Sequence, residues 1–340
     1  MRATVTDIAR ASGVSTATVD RVLNRRAGVR AATVQRVLEA AAKLDYLPDN
    51  ALLASLAPRP MELAFVLPAG TNRYLRMLGD YLGYAQDALA PFHVRCRCHY
   101  VDSFDPAVFA KGLLTHGRRA AGLAFMAVEH PLVREAVDTL VGEGVPVVTL
   151  ISDLSNSKRI AYVGLENRAA GRTAGLLIGR FLGGRSGKVA MIAGSLSYRG
   201  HEEREMGFLH VMQEMFPQLT VTGVREGRDD ADTNYRQAHA LLEQHPDLIG
   251  LYNIGGASDG VGRALKDLGR DRSVVCIGHG LTPDTRALLI DGTLDAVITQ
   301  HPNAVVGNCA RIFANLRDQR EPLAGVDPVR IAIVVRENLP

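Results

Sequence analysis

The sequence has no tryptophan, few aromatic residues and only four cysteines, and its formal net charge of +3 is small for 340 residues. The cysteines lack the spacing of a disulfide framework, which fits a protein of a reducing compartment. No stretch approaches the roughly 20 apolar residues of a membrane-spanning helix, and polar residues interrupt every apolar run near the N-terminus, which excludes a signal peptide. We therefore expect a cytoplasmic protein that has no membrane partner.

Motifs of catalysis and metal binding also give no signal. The ten histidines have no H-x-x-x-H or H-E-x-x-H spacing, and we expect no G-x-S-x-G nucleophile elbow. Residues 183–188 do not have the spacing of a phosphate-binding loop, so a helix C-cap is favoured there. Cys96 and Cys98 fall on one face of a predicted strand and lack a second ligand pair, which favours a buried strand over a metal site. We expect no cofactor, no metal and no enzymatic activity.

Positive charge is concentrated at the N-terminal end of the chain. Residues 1–60 contain nine Lys or Arg against five Asp or Glu, so the remainder of the chain is close to neutral. A module that contacts DNA phosphates needs a local excess of this kind. The charge distribution favours a nucleic-acid contact at this end.

Two patterns of secondary structure divide the chain. Residues 1 to about 57 predict helices with short breaks, whereas short apolar runs alternate with amphipathic segments from residue 62 onward. The predicted strands are 62–68, 93–101, 121–127, 145–151, 187–194, 219–226, 247–254, 273–280 and 294–300, and the helical segments include 72–90, 167–182, 231–244 and 302–318. This alternation is typical of parallel sheets covered by helices. The predicted fold is an all-α N-terminal headpiece followed by an α/β core of two doubly wound parallel-sheet lobes.

The first 44 residues have the pattern of a helix-turn-helix. Thr4 is in the position of an N-cap, with Asp7 three residues later, close to a capping box. Gly13 permits the sharp turn between the first two helices, and Ser15 caps the second. A third helix is predicted from about Ala32 to Leu44. A small helical bundle without a role in DNA binding has the same pattern.

The amino-acid sequence of this region is more specific than its pattern of helices and turns. Residues 6–24, TDIARASGVSTATVDRVLN, and 29–56, VRAATVQRVLEAAAKLDYLPDNALLASL, resemble the lactose-repressor family of bacterial transcription regulators. The resemblance implies a periplasmic-binding-protein-like core after the headpiece. We divide the chain into a headpiece at 1–48, a hinge helix and linker at 49–60 and a core at 61–340. The first lobe is assigned to about 61–161 plus 293–322, and the second to about 162–292 plus 323–340.

The resemblance implies that the second helix enters the major groove of double-stranded operator DNA. Base edges would be met by Thr16, Ala17 and Arg21, and phosphates by Thr18, Asn24 and Tyr46. Leu56 would insert into the minor groove from the hinge helix. The full predicted DNA-contact set is Thr4, Ser15, Thr16, Ala17, Thr18, Arg21, Asn24, Tyr46 and Leu56.

Asp20 departs from the family pattern, which usually has serine at this position. Phosphates repel a carboxylate. We expect Asp20 either to accept a hydrogen bond from a cytosine amino group or to pair with a nearby arginine.

Polar residues that follow the predicted strands are the candidates for ligand binding, because ligands of open α/β sheets bind beyond the carboxyl ends of the strands. Arg204 belongs to an R-x-x-G-[FW] sequence that resembles sugar-binding regulators. His279 stands where many family members have aspartate. The predicted set is Asn72, Tyr74, Asp153, Tyr198, Arg204, Asn253, His279 and Gln300.

These residues predict an effector that is a small sugar, a polyol or a sugar acid. Arg204 can bind two oxygens at once, and the loss of an acidic residue at His279 favours an acid derivative over a neutral hexose. Two other classes remain open, a transporter's solute-binding protein and an enzyme of doubly wound architecture. The missing export signal and the headpiece argue against the first, and the missing catalytic motifs argue against the second.

The family's commoner role is repression of carbohydrate genes, and we expect a homodimer because the chain ends after a strand without an added heptad helix. The sequence leaves open whether the effector is an inducer or a co-repressor, and whether the protein represses or activates.

Overall fold

The structure is a computed structural model that describes residues 3–46 and 60–340. The headpiece contains helices α1 (Val5–Ser12), α2 (Thr16–Leu23) and α3 (Ala31–Lys43). Thr4 and Asp7 form a complete capping box at the start of α1, and Gly13 ends this helix with φ of 67°, which confirms both predictions. The three helices pack around buried residues that include Ile8, Val19 and Val37.

The first lobe of the core is a parallel five-stranded sheet of order β2-β1-β3-β4-β5. Three of its strands, at Met61–Pro68, Gly122–Phe125 and Val147–Leu150, are mostly apolar and buried, as is typical of a parallel sheet with both faces covered. The elements in chain order are β1 (Met61–Pro68), α4 (Arg73–Tyr84), α5 (Gln86–Leu89), β2 (Val94–Val101), α6 (Pro106–Gly117), β3 (Gly122–Phe125), α7 (Pro131–Gly142), β4 (Val147–Leu150) and β5 (Ala161–Val163). Cys96 is buried and Cys98 half-buried in β2, as the strand prediction requires.

The second lobe is a six-stranded sheet of order β11-β10-β9-β8-β6-β7, in which only the pair β10–β11 is antiparallel. Its elements are α8 (Asn167–Phe181), β6 (Gly187–Ala193), α9 (Arg199–Met215), β7 (Leu219–Glu226), α10 (Ala231–Gln244), β8 (Leu248–Asn253), α11 (Ser258–Asp267), β9 (Val275–His279), α12 (Pro283–Ile290) and β10 (Ala296–Thr299). Helix α13 (Pro302–Arg317) and strand β11 (Ala332–Val334) complete the chain's regular elements.

The predicted lobe boundary at residue 293 needs a correction. Strand β10 pairs in parallel with β9 and so belongs to the second sheet. The chain re-enters the first lobe only at α13, whose Val305, Cys309 and Phe313 lie in the first lobe's core. The centre of this strand, residues 296–298, is apolar and buried, and a short apolar run does not show which sheet it joins.

Strand β5 was absent from the list of predicted strands, because its three residues are too short for a period-2 pattern to be recognised. Strand β11 is the strand after which the chain was expected to end. The predicted hinge helix lies outside the described residues apart from Pro60. Within residues 3–46 and 60–340, no helix combines the length and the apolar character needed to cross a membrane.

Candidate functional site

Helix α2 presents three exposed side chains, those of Thr16, Ala17 and Arg21. Val19 and Val22 on the same helix are buried in the headpiece core. The helix therefore has one face held by packing and another whose side chains are accessible. The three exposed residues are those predicted to meet base edges.

The other predicted DNA contacts in the headpiece serve partly as caps. Thr4 Oγ1 donates to an Asp7 carboxylate oxygen at 2.7 Å. Ser15 Oγ accepts a hydrogen bond from the Thr18 amide at 3.2 Å and lies 2.9 Å from Thr18 Oγ1. Tyr46 is half-buried against the headpiece core. Leu56 lies outside the described residues.

Asp20 is held by two residues that follow it on the chain. Asn24 Nδ2 donates to Asp20 Oδ1 at 2.7 Å and to the Asp20 backbone oxygen at 3.0 Å. Arg26 Nη1 donates to Asp20 Oδ2 at 3.2 Å. Of the two alternatives for Asp20, the structure shows the pairing with an arginine. The predicted bond from Asn24 to a phosphate would require this amide to leave Asp20.

A small cavity lies between the two lobes, at the carboxyl ends of the strands. Its volume is about 50 Å³, and a single water needs roughly 10–15 Å³ on this measure, so the cavity has room for a small molecule only. Five of the eight residues predicted to bind a ligand line it: Asn72, Tyr74, Arg204, His279 and Gln300. Its apolar walls include Leu75, Met126, Ile151, Leu165 and Ile298.

Arg204 is 6% exposed and is held by two hydrogen bonds. Its Nε donates to Asn167 Oδ1 at 2.8 Å, and its Nη1 donates to the Ile254 backbone oxygen at 2.8 Å. Among the described residues, no carboxylate lies within 4 Å of the guanidinium, and Nη2 has no protein partner. The two hydrogen bonds thus hold the side chain of Arg204 in place, and this side chain lines the cavity.

Two buried histidines stand beside this arginine. Burial lowers the pKa of His201 to about 4, and burial together with the positive charge of Arg204 holds the pKa of His279 well below its usual value. His279 Nε2 lies 2.7 Å from the Tyr252 hydroxyl. Both imidazoles are therefore neutral near pH 7, and they contribute polar atoms to the cavity rather than charge.

The lobes contact each other directly around the cavity. Asn72, the N-cap of α4, donates through Nδ2 to Asp229 Oδ2 of the second lobe at 2.9 Å. Asp229 Oδ1 accepts the Gly256 amide at 2.7 Å. The Tyr74 hydroxyl donates to the Gln300 backbone oxygen at 3.2 Å. These bonds link the rim of one lobe to the rim of the other.

Three predicted ligand residues lie outside the cavity lining, and each has a structural partner. Asp153 forms an ion pair with Arg159. The Tyr198 hydroxyl lies 2.6 Å from Ser103 Oγ and joins the lobes. Asn253 donates to backbone oxygens of the turn that follows β8. A sequence pattern alone does not show these contacts.

Two polar residues of the cavity were missing from the predicted set, His201 and Thr299. His201 precedes Arg204 by three residues on α9, and this spacing places both on one helix face. That spacing was the signal that could have identified His201.

The sequence does contain a G-x-S-x-G pattern, contrary to the expectation that it has none. Residues 256–260 have this pattern, where helix α11 begins after strand β8. The central Ser258 is buried, and its Oγ accepts a hydrogen bond from Asn253 Nδ2 at 2.8 Å. In the part of the chain that the structure describes, no histidine bonds to this hydroxyl, so the pattern lacks the base of a nucleophile elbow. The described residues also contain no group of three His, Cys, Asp or Glu that could hold a metal ion.

Two family models match the chain in succession. The model described as bacterial regulatory proteins, lacI family, matches residues 4–49. The model described as periplasmic binding protein domain matches residues 104–321, more than half of the chain. The two matches correspond to the headpiece and to most of the two-lobed core.

Individual proteins resemble the chain over similar ranges. The HTH-type transcriptional repressor PurR of Serratia proteamaculans (strain 568) is 24% identical over 248 residues, 71% of this chain and 69% of PurR. The ribose import binding protein RbsB of Bacillus subtilis (strain 168) is 26% identical over 174 residues, 51% of this chain and 55% of RbsB. The solved structure of GanP, a glucose-galactose binding protein from Geobacillus stearothermophilus, has a TM-score of 0.74 at 21% identity and covers 83% of this chain and 100% of that chain.

The headpiece geometry, the two-sheet core and both family models lead to one conclusion. This chain, with its N-terminal helix-turn-helix and its periplasmic binding protein domain, belongs to the lacI family of bacterial regulatory proteins.

Proposed function

We propose that this protein is a ligand-responsive transcription regulator that binds operator DNA as a homodimer in the cytoplasm and has no enzymatic activity. Two exposed α2 faces, one from each subunit, would read two half-sites of a pseudo-palindrome. The observation that carries the proposal is the exposed triplet Thr16, Ala17 and Arg21 on a helix whose opposite face is buried.

We infer that the effector is a small polyhydroxylated molecule, bound between the lobes, and that the DNA response is repression. The cavity supplies buried polar atoms from Arg204, His201, His279 and Gln300, and each buried polar group needs a partner. A molecule rich in hydroxyl groups provides such partners. The named relatives support both points, since PurR is a repressor and RbsB binds ribose for import.

The hydrogen bonds between the lobe rims support the regulatory mechanism. Asn72 and Asp229 face each other across the cavity mouth, so a ligand that contacts both lobes stabilises one relative position of the lobes. A ligand shifts an equilibrium only by its differential affinity for two states. We infer that the position of the lobes in each subunit sets the separation of the two headpieces.

A selection of DNA fragments tests the proposal. The wild-type protein should select a pseudo-palindromic sequence from fragments upstream of its own gene and its neighbours. Replacing Arg21 by alanine should cost about 1–3 kcal/mol of binding free energy on that sequence and relax base preference at one position per half-site. Arg36→Ala is the matched control, because Arg36 is an equally exposed headpiece arginine on α3.

Two results would oppose the proposal. Selection of no sequence over random DNA would contradict operator binding. Equal weakening by Arg21→Ala on operator and on random DNA would show that Arg21 contacts phosphate only.

A further inference from the structure

The cavity contains a fixed positive charge that the protein does not neutralise locally. Arg204 is 6% exposed and lines the cavity, its Nε and Nη1 are bonded to neutral oxygens, and Nη2 makes no hydrogen bond to a described residue. Burying a cation costs free energy unless an anion or several hydrogen bonds compensate it. Here the protein supplies two hydrogen bonds and no carboxylate within ion-pair distance among the described residues.

The remaining wall of the cavity adds no negative charge near Arg204. His201 and His279 are neutral near pH 7. Burial also raises the pKa of Tyr74, so this phenol stays protonated. Asp229 lies outside the cavity lining, and its two carboxylate oxygens accept hydrogen bonds from Asn72 and from the Gly256 amide.

The side chain of Gln300 contributes an acceptor to the same cavity that has no hydrogen-bond donor. Gln300 is 5% exposed, and its Oε1 is buried without any hydrogen bond. An amide oxygen only accepts hydrogen bonds, so the missing partner must be a donor such as a hydroxyl group. A buried acceptor left unpaired costs about 1–3 kcal/mol, which a ligand hydroxyl would recover.

We propose that the effector is a small polyhydroxy acid of the aldonate or uronate type, whose carboxylate binds Arg204 and whose hydroxyl groups include the donor to Gln300 Oε1. The inference rests on the proposed function, because it specifies the ligand of that same cavity. The binding site needs an anion for the free fork of the arginine and a donor for the orphaned amide. A neutral sugar supplies the donor and hydroxyl acceptors for Arg204, but it supplies no charge to compensate the guanidinium.

The neutral His279 is part of this specificity. Both side chains line the same cavity, so a carboxylate in place of His279 would lie near Arg204 and compensate part of its charge within the protein. With histidine there, the compensation is left to the ligand. His279 therefore selects for the acid, and a carboxylate at this position selects for the neutral sugar.

Matched sets of probes test the proposal on the full-length protein. Each set contains an aldose, its aldonate, its uronate and its alditol, starting with ribose, arabinose, glucose and galactose. Thermal unfolding is recorded for each, because a ligand that binds only the folded state raises the melting temperature. In at least one set, the acid should raise it at concentrations where the neutral members do not.

Two substitutions test whether the negative charge of the ligand determines its binding. Gln300→Glu keeps the side-chain shape and adds a negative charge next to the ligand, and should weaken acid binding at least about thirtyfold. His279→Asp should reverse the preference within a set, so that the neutral sugar binds more tightly than its acid. Since the two variants act through different residues, failure of one to fold leaves the other as a test.

Two results would overturn the proposal: stabilisation by the neutral sugar at least equal to that by its acid in every set, or preference for the acid that persists unchanged in His279→Asp. Operator binding by the wild-type protein without any probe is measured separately. Its loss would contradict the proposed function rather than the ligand class.

Discussion

Helices α8 and α9 approach each other backbone to backbone, and this approach places Arg204 in the cavity. A Cβ added at Gly207 would lie 2.1 Å from the Arg168 backbone oxygen, and one added at Gly171 would lie 1.9 Å from the Arg204 backbone oxygen. Both glycines are therefore required for the close contact. The R-x-x-G spacing from Arg204 to Gly207 has a steric reason in addition to its resemblance.

Replacing Gly207 by alanine should destabilise the protein and displace Arg204. The new methyl group would be more than 1 Å too close to a backbone oxygen, which a rotamer change cannot relieve. Overpacking of this kind costs about 1–3 kcal/mol, and a backbone obstacle favours the upper end. Alanine recovers at most about 1 kcal/mol of helix propensity. The net loss of about 2 kcal/mol corresponds to a melting temperature lower by roughly 4–8 °C.

Thermal unfolding with and without a cavity ligand measures both effects. Gly307→Ala is the matched control, because Gly307 lies inside helix α13 and a Cβ there meets no atom within 4 Å. This control should keep or slightly raise the melting temperature and keep the ligand-induced shift. If Gly207→Ala melts no lower than the control and still shows that shift, the close-contact argument is wrong.

Three further predictions concern DNA binding and pH. Asp20→Ser should release Arg26 to a phosphate, so the slope of log affinity against log salt should steepen by about 0.9 per headpiece, and an unchanged slope would show that Arg26 stays away from DNA. Leu56→Ala should reduce DNA bending in circular-permutation gels while leaving effector binding intact, and equal bends would contradict intercalation. The free energy of unfolding should fall between pH 7 and pH 5, because His201 and His279 stay neutral when folded but take up protons near pH 6.5 when unfolded. The free energy of unfolding falls by up to about 1.4 kcal/mol per pH unit for each histidine. Urea titrations at several pH values measure this fall, which should be shallower in His201→Asn than in the wild type.

The sequence was informative where local rules decide the structure. Helix caps at Thr4 and Ser15 and the turn at Gly13 are short-range features, and the structure has them as predicted. Apolar strands such as β1 and β6 were also located correctly, because buried strands are apolar runs bounded by turns.

The sequence was less informative where partners are distant along the chain. Strand β10 was placed in the wrong lobe, since its pairing with β9 is a tertiary fact. Asp153 follows a strand like a ligand residue, yet Arg159 on the next loop pairs with it. Spacing on one helix face would have added His201 to the cavity, whereas the orphaned oxygen of Gln300 is visible only in three dimensions.

We propose above all that the cavity between the lobes controls the affinity of the headpiece for DNA. The direct measurement is the dissociation constant of the wild-type protein for its selected operator, with and without a saturating polyhydroxy acid that raises its melting temperature. A coupling free energy of about 1–3 kcal/mol predicts a change of roughly 5- to 150-fold in that constant. An operator affinity that stays the same while the acid demonstrably occupies the cavity would contradict the claim.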